Sequence, residues 1–113
     1  MNDGTKKEKT DEESGDTEES PFRLTKENFP NVNTTLLYFI QLLATHGYIY
    51  LGLIPIPGSL ETMFDLAQAR RAIDLLGVMV EQAKPELEEH DRRELDNTVS
   101  QLRLNFATKA GKA

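Results

Sequence analysis

Residues 28–60 have the sequence NFPNVNTTLLYFIQLLATHGYIYLGLIPIPGSL, and this stretch contains no Asp, Glu, Lys or Arg. The chain as a whole is 28% charged, so the stretch is chemically distinct from the rest of the protein. Its central part, residues 34–51, places apolar side chains around most of a helix when positions are spaced at 100° per residue. One neighbouring helix cannot cover so wide an apolar surface. The stretch therefore predicts a helix that is packed on more than one side.

The segment that precedes this helix is acidic and polar. Residues 1–20 contain eight carboxylates against three lysines, and no apolar residue follows Met1. Such a composition cannot bury enough apolar surface to fold, so we expect a disordered acidic arm over residues 1–20. An extended lead-in over residues 21–33 should follow, because Pro30 opposes helix formation.

Two further helices are predicted after the uncharged stretch. Residues 65–84 form the second, with Asp65 as its N-cap and Pro85 discouraging continuation. Residues 89–107 form the third, with carboxylates in its first turn and a narrow apolar stripe along one side. The predicted fold is therefore an all-α, three-helix module over residues 34–107 that assembles into a helical oligomer, with a frayed tail at 108–113.

Three short motifs are similar to those of a known family. They are LGLIPIP at 51–57, DLAQARRAIDLL at 65–76 and LRLNF at 102–106. Together they resemble a family of short bacterial proteins known only as a domain of unknown function, over about residues 39–106. After the second helix the chain has KPEL at 84–87, where that family usually has a Gly-Asn turn. The resemblance implies a helical bacterial protein with no established catalytic activity.

Self-association is the expected means of covering the first helix. Without the arm, 93 residues remain, and a chain of that size buries only a modest fraction of its surface. The sequence has no Cys, so disulfides cannot stabilise it, and this agrees with a reducing, cytoplasmic location. We expect a homodimer or larger oligomer, and an accessory subunit of a larger complex is one form that such an interaction module can take. The residues predicted for the oligomer interface are Leu36, Phe39, Ile40, Leu43, His46, Gly47 and Tyr50.

An ion pair on the second helix has two interpretations. Asp74 is poorly suited to a helix interior. In the first interpretation Asp74 pairs with Arg70 one turn earlier, on a solvent-exposed edge of the helix. In the second it pairs across the bundle with the planar guanidinium of Arg103. Both interpretations give the pair a structural role.

The sequence predicts no catalytic, cofactor or metal site. His46 lies on the apolar part of the first helix and is interpreted as a core or interface histidine, and His90 as a solvated one. Neither has the further ligands that a zinc site needs. The carboxylates of residues 86–96 do not follow the spacing of a calcium loop. We therefore expect a protein that is not an enzyme.

Three other function classes remain as alternatives. Residues 36–56 are long enough to cross a bilayer of about 30 Å, but Gln41, Thr45 and His46 interrupt them, so membrane association is second to self-association. A nearly neutral body and an acidic arm disfavour nucleic acid as a partner. A small enzyme with His46 as general base is another less favoured class.

Overall fold

The computed structural model describes residues 23–112, and the acidic arm predicted at 1–20 lies outside them. In the described part the chain forms three α-helices and one short 3₁₀ turn, with no strand. The predicted all-α, three-helix module is therefore confirmed. The helices are α1 (Val32–Tyr50), α2 (Leu66–Ala83) and α3 (Glu89–Lys112), with the 3₁₀ turn at Lys84–Glu86 between α2 and α3.

Helix α1 begins two residues before its predicted start. Asn31 is the N-cap, and its Oδ1 accepts a hydrogen bond from the backbone N–H of Thr34 at 2.9 Å. A capping side chain satisfies an amide that the first turn leaves unpaired, so the helix starts where that side chain is available. The lead-in predicted over 21–33 consequently ends at Asn31.

Residues 23–30 form a small unit of their own in front of α1. The backbone N–H of Thr25 donates to Asn28 Oδ1 at 2.7 Å, and the N–H of Asn28 donates to Thr25 Oγ1 at 3.3 Å. Asn28 Nδ2 also donates to the carbonyl of Arg23 at 3.0 Å. This part of the lead-in is thus a hydrogen-bonded turn rather than a simple extended segment.

Helix α3 continues five residues beyond its predicted end at 107. The segment 108–112, predicted as a frayed tail, is helical. Lys109 and Lys112 lie in the last turn, where positive charge interacts favourably with the negative end of the helix dipole. The Thr108 hydroxyl also donates to the carbonyl of Leu104 at 3.0 Å. Favourable end charges therefore extend the helix past the last core residue.

Gly52 follows the C-cap residue Leu51 and ends α1. Its φ is 75°, in the left-handed region. The N–H of Gly52 donates to the carbonyl of Ile49 and the N–H of Leu53 to that of Tyr48, both at 2.9 Å, which is the Schellman pattern. The loop then returns to α1, where the N–H of Asp65 donates to the carbonyl of Tyr50 at 2.8 Å. These bonds set the start of α2 beside the end of α1.

The core lies between the three helices. It contains side chains from α1, from the residue that follows it, and from one face each of α2 and α3. Its members are Ile40, Ala44, Leu51, Ala69, Ile73, Leu76, Val80, Ala83, Leu95, Val99 and Leu102. A Cβ added to Gly47 would lie 3.3 Å from Leu102 Cδ2. The missing side chain at Gly47 therefore lets α3 approach the backbone of α1.

Polar contacts join α2 to α3 around the 3₁₀ turn. Lys84 Nζ lies 2.8 Å from Glu81 Oε2 and 2.9 Å from Asp96 Oδ1 of α3. Arg92 Nη1 donates to the carbonyl of Leu87 at 2.6 Å and to that of Lys84 at 3.3 Å. The segment KPEL therefore makes a turn that one lysine and one arginine hold to α3.

Replacement of Gly52 should weaken the fold more than replacement of Gly58. Both have φ near 75°, which costs an L-residue about 1 to 2 kcal/mol. A Cβ at Gly52 would also lie 2.9 Å from the backbone oxygen of Met63, whereas nothing lies within 4 Å of one at Gly58. We expect Gly52→Ala to lower the free energy of unfolding by about 2 to 3 kcal/mol and Gly58→Ala by about 1 kcal/mol in urea titrations. Equal losses would contradict the close approach of Met63.

Lys84 should make the fold sensitive to alkaline pH. Hydrogen bonds to Glu81 and then to Asp96 raise the pKa of the Lys84 ammonium above its ordinary value of 10.5. A raised pKa means that the charged form stabilises the folded state. This stabilisation is complete below about pH 10 and is lost once the pH has risen above the raised pKa. We expect Lys84→Met to lower the free energy of unfolding at neutral pH. The deficit relative to the native chain should shrink above the ordinary lysine pKa.

The matched control for this prediction is Lys109→Met, which removes the same charge from the last turn of α3. Urea unfolding of the three proteins across the alkaline range is the measurement. A deficit of Lys84→Met that stays constant with pH would contradict a role for the charged ammonium.

Candidate functional site

Two opposite sides of α1 have different surroundings. Ile40, Ala44 and Gly47 are buried on one side, together with Leu51 just after the helix. On the other side Phe39, Leu42 and His46 follow the spacing i, i+3 and i+7, so they share one face of the helix. All three are exposed, and so is the neighbouring Tyr38. We call Tyr38, Phe39, Leu42 and His46 the outer face of α1.

The outer face is largely aromatic and aliphatic and contains no Asp, Glu, Lys or Arg. Tyr38 is 67% exposed, Phe39 53% and Leu42 54% after the three helices have packed. No acidic residue lies in the first turn of α1 and no basic residue in its last turn. Adjacent exposed aromatic and aliphatic side chains on a small domain are typical of a surface that binds another protein.

His46 lies toward the C-terminal end of the outer face. Its ring centroid is 6.1 Å from that of Tyr50, and the two planes are inclined at 74°, an edge-to-face arrangement. Tyr50 is half-buried and His46 is exposed. This pair extends the aromatic surface by one turn.

The predicted interface residues fall into three groups in the structure. Phe39 and His46 belong to the outer face, whereas Leu36, Leu43 and Tyr50 are half-buried. Ile40 and Gly47 are buried within the chain, so their assignment to an interface needs correction.

The physical reason for that correction is the packing of α2 and α3 against this side of α1. Ile40 is only 1% exposed, and Gly47 faces the side chain of Leu102. Tyr38 and Leu42 are the outer-face residues that sequence reasoning missed. The small residues Ala44 and Gly47 are the signal that could have found them. Small side chains mark where helices approach closely, and the opposite side of the helix must then be the outer one.

The predicted ion-pair residues lie near one another but do not all pair. Arg70 Nε is 3.9 Å from Asp74 Oδ2, and both side chains are well exposed, as expected of a solvated edge. Within residues 23–112 no ion pair joins Asp74 to Arg103, because the Arg103 guanidinium lies beside Gly77 instead. All three residues nevertheless line one open cleft, together with Ile73 and Phe106.

The described residues contain neither a metal-binding cluster nor a membrane-spanning helix. Between residues 23 and 112, no three His, Cys, Asp or Glu side chains come together closely enough to hold a metal ion. None of the described helices combines the length and the apolar character needed to cross a membrane. The stretch 36–56 is not one helix, since α1 ends at Tyr50 and the chain turns at Gly52.

Comparison with known proteins gives one match. Residues 33–108 match the model of a family described as a domain of unknown function (DUF1844). The match covers nearly all of α1, the whole of α2 and most of α3, so it includes the outer face and the three motifs. No curated protein and no solved structure matches the chain significantly.

Proposed function

The chain belongs to the family described as a domain of unknown function (DUF1844), and we propose that it is a non-catalytic interaction module that self-associates through the outer face of α1. The observation that supports the proposal is the exposure of Tyr38, Phe39 and Leu42 in the folded chain. α2 and α3 leave these three large side chains exposed, and contact with a partner would bury them.

The hydrophobic effect favours covering this face. Complete burial of one large apolar side chain contributes about 1.5 to 3 kcal/mol, so a half-exposed one still has about 1 kcal/mol to gain. A symmetric dimer buries each side chain twice, once from each copy. Association must offset about 4 kcal/mol or more of lost rotational and translational freedom, so the half-buried Leu43 and Tyr50 at the edges should contribute too.

A second copy of the chain is the partner that the charge pattern favours. In a twofold dimer the outer face of one copy contacts the outer face of the other, so any charge near the axis lies opposite the same charge. The outer face has no charged residue, and neither does the rest of α1. A strongly charged partner would find no complementary charge there, whereas two identical apolar faces meet without repulsion.

The small size of the domain agrees with this proposal. A chain whose folded part is below about 100 residues buries a limited share of its apolar surface, and oligomerisation is a common way to add stability. The proposed product is a homodimer or a larger helical oligomer.

A charge placed on the outer face should separate the copies. We expect the native chain to show a mass that is a multiple of 12.8 kDa and depends on concentration in sedimentation equilibrium. Leu42→Lys should weaken association at least about tenfold, because the partner copy would have to bury an ammonium without a carboxylate nearby. Leu42 is 54% exposed in the single chain, so the substitution should not disturb the core. The circular dichroism spectrum of the variant should therefore remain helical.

The matched control is Gln41→Lys, which adds the same charge to the next residue of α1. Gln41 is exposed but lies on another side of the helix, in a cleft with Leu37 and the acidic side chains of Asp91 and Glu94. This variant should associate like the native chain. A native chain that stays at 12.8 kDa up to millimolar concentration would overturn the proposal, as would a Leu42→Lys variant that associates normally.

A further inference from the structure

A cleft of about 250 Å³ lies between α2 and α3, away from the outer face of α1. Two arginines and one aspartate line it, and so do two apolar side chains. The lining residues are Arg70, Ile73, Asp74, Arg103 and Phe106. Ile73 is buried and Phe106 half-buried, so the cleft combines an apolar floor with cationic walls.

The Arg103 guanidinium lies against Gly77. A Cβ added to Gly77 would be 2.8 Å from Arg103 Nη2, so the guanidinium would have to move to make room for one. Glycine in the interior of a helix costs about 1 kcal/mol relative to alanine. Here it leaves room for the guanidinium beside α2. Within residues 23–112 no carboxylate lies within 4.0 Å of Arg103 to occupy its donors.

The charges of the cleft suit a ligand with one negative charge. Arg70 and Arg103 supply two positive charges and Asp74 supplies one negative charge. The 3.9 Å between Arg70 Nε and Asp74 Oδ2 is too long for a hydrogen bond, so Asp74 does not use up the donors of Arg70. A guanidinium presents two parallel N–H groups that match the two oxygens of a carboxylate. A doubly charged phosphate would leave one of its charges uncompensated.

We propose that this cleft binds a carboxylate carried on an apolar group. Arg103 and Arg70 hold the carboxylate, and Ile73 and Phe106 pack against the hydrocarbon part. Both a free small acid and the C-terminal end of a peptide have this chemistry. The site is independent of self-association, because no residue of α1 lines it.

The test is a titration of the full-length, ¹⁵N-labelled chain with N-acetylphenylalanine, followed by NMR. We expect saturable shifts of the Arg70 and Arg103 side-chain Nε–H signals and of the Gly77 amide. The neutral probe N-acetylphenylalaninamide has the same ring without the charge and should cause no such shifts. Equal effects of the two probes, no saturable shift, or tighter binding of inorganic phosphate would each overturn the proposal.

Single substitutions test the role of each charge. Arg103→Gln should weaken binding of N-acetylphenylalanine about tenfold or more, the loss expected for one charged hydrogen-bonding partner. Asp74→Asn should tighten it several-fold, because it removes a negative charge that repels the carboxylate of the probe.

Arg93→Gln is the matched control for these variants. Arg93 is on α3 as well, but it pairs with Glu89 at 3.1 Å and lies outside the cleft. It should leave the affinity unchanged. If Asp74→Asn weakens binding, or if Arg93→Gln weakens it as much as Arg103→Gln, the assignment of the cleft is wrong.

A second probe distinguishes the two sources of the carboxylate. A short peptide that ends in phenylalanine should bind more tightly than N-acetylphenylalanine if chain ends are the natural ligands, because its additional residues contact the cleft rim. Equal or weaker binding of the peptide assigns the cleft to small free acids. Either result agrees with a carboxylate-binding site in the cleft.

Discussion

The packing of α1 against α2 and α3 fixes which side of α1 faces the core. Ile40 and Ala44 are buried on that side, and Gly47 faces Leu102 of α3 and Ile73 of α2. Leu102 is completely buried, and its Cδ2 would lie 3.3 Å from a Cβ at Gly47, so a larger residue there would require Leu102 to move. Phe39 and Leu42 lie on the opposite side of α1 and are left exposed. The candidate interface is thus a consequence of the packing on the other side of the same helix.

The connection between α2 and α3 is a second constraint, made of polar groups. Lys84 links Glu81 of α2 to Asp96 of α3, and Arg92 donates to the carbonyls of the turn between the helices. These contacts hold the two helices side by side in opposite directions, with Gly77 beside Arg103 further along. The cleft lined by Arg70, Asp74 and Phe106 lies between the same two helices.

Hydrophobic periodicity predicted the existence and approximate bounds of the helices, because apolar spacing and caps are local properties. It did not predict the orientation of α1, whose apolar side chains occupy most of its circumference. With so little polar contrast, the pattern could not separate the core residues Ile40 and Gly47 from the exposed Tyr38 and Leu42. The tertiary packing of α2 and α3 against α1 makes that distinction. Likewise, the pattern predicted that Asp74 and Arg103 lie near each other, but it could not show that the guanidinium lies beside Gly77 and does not pair with the carboxylate.

The opposite directions of α2 and α3 give the domain an electrical polarity. The start of α2 and the end of α3 place basic residues at one pole, namely Arg70, Arg71, Arg103, Lys109 and Lys112. The other pole has acidic residues in excess, namely Glu81, Glu86, Glu88, Glu89, Asp91, Glu94 and Asp96. Two copies that meet side by side lower their electrostatic energy when the basic pole of each lies beside the acidic pole of the other. This preference fades as salt shortens the screening length to about 10 Å or less, so ionic strength would tune the alignment of the copies while the apolar contact persists.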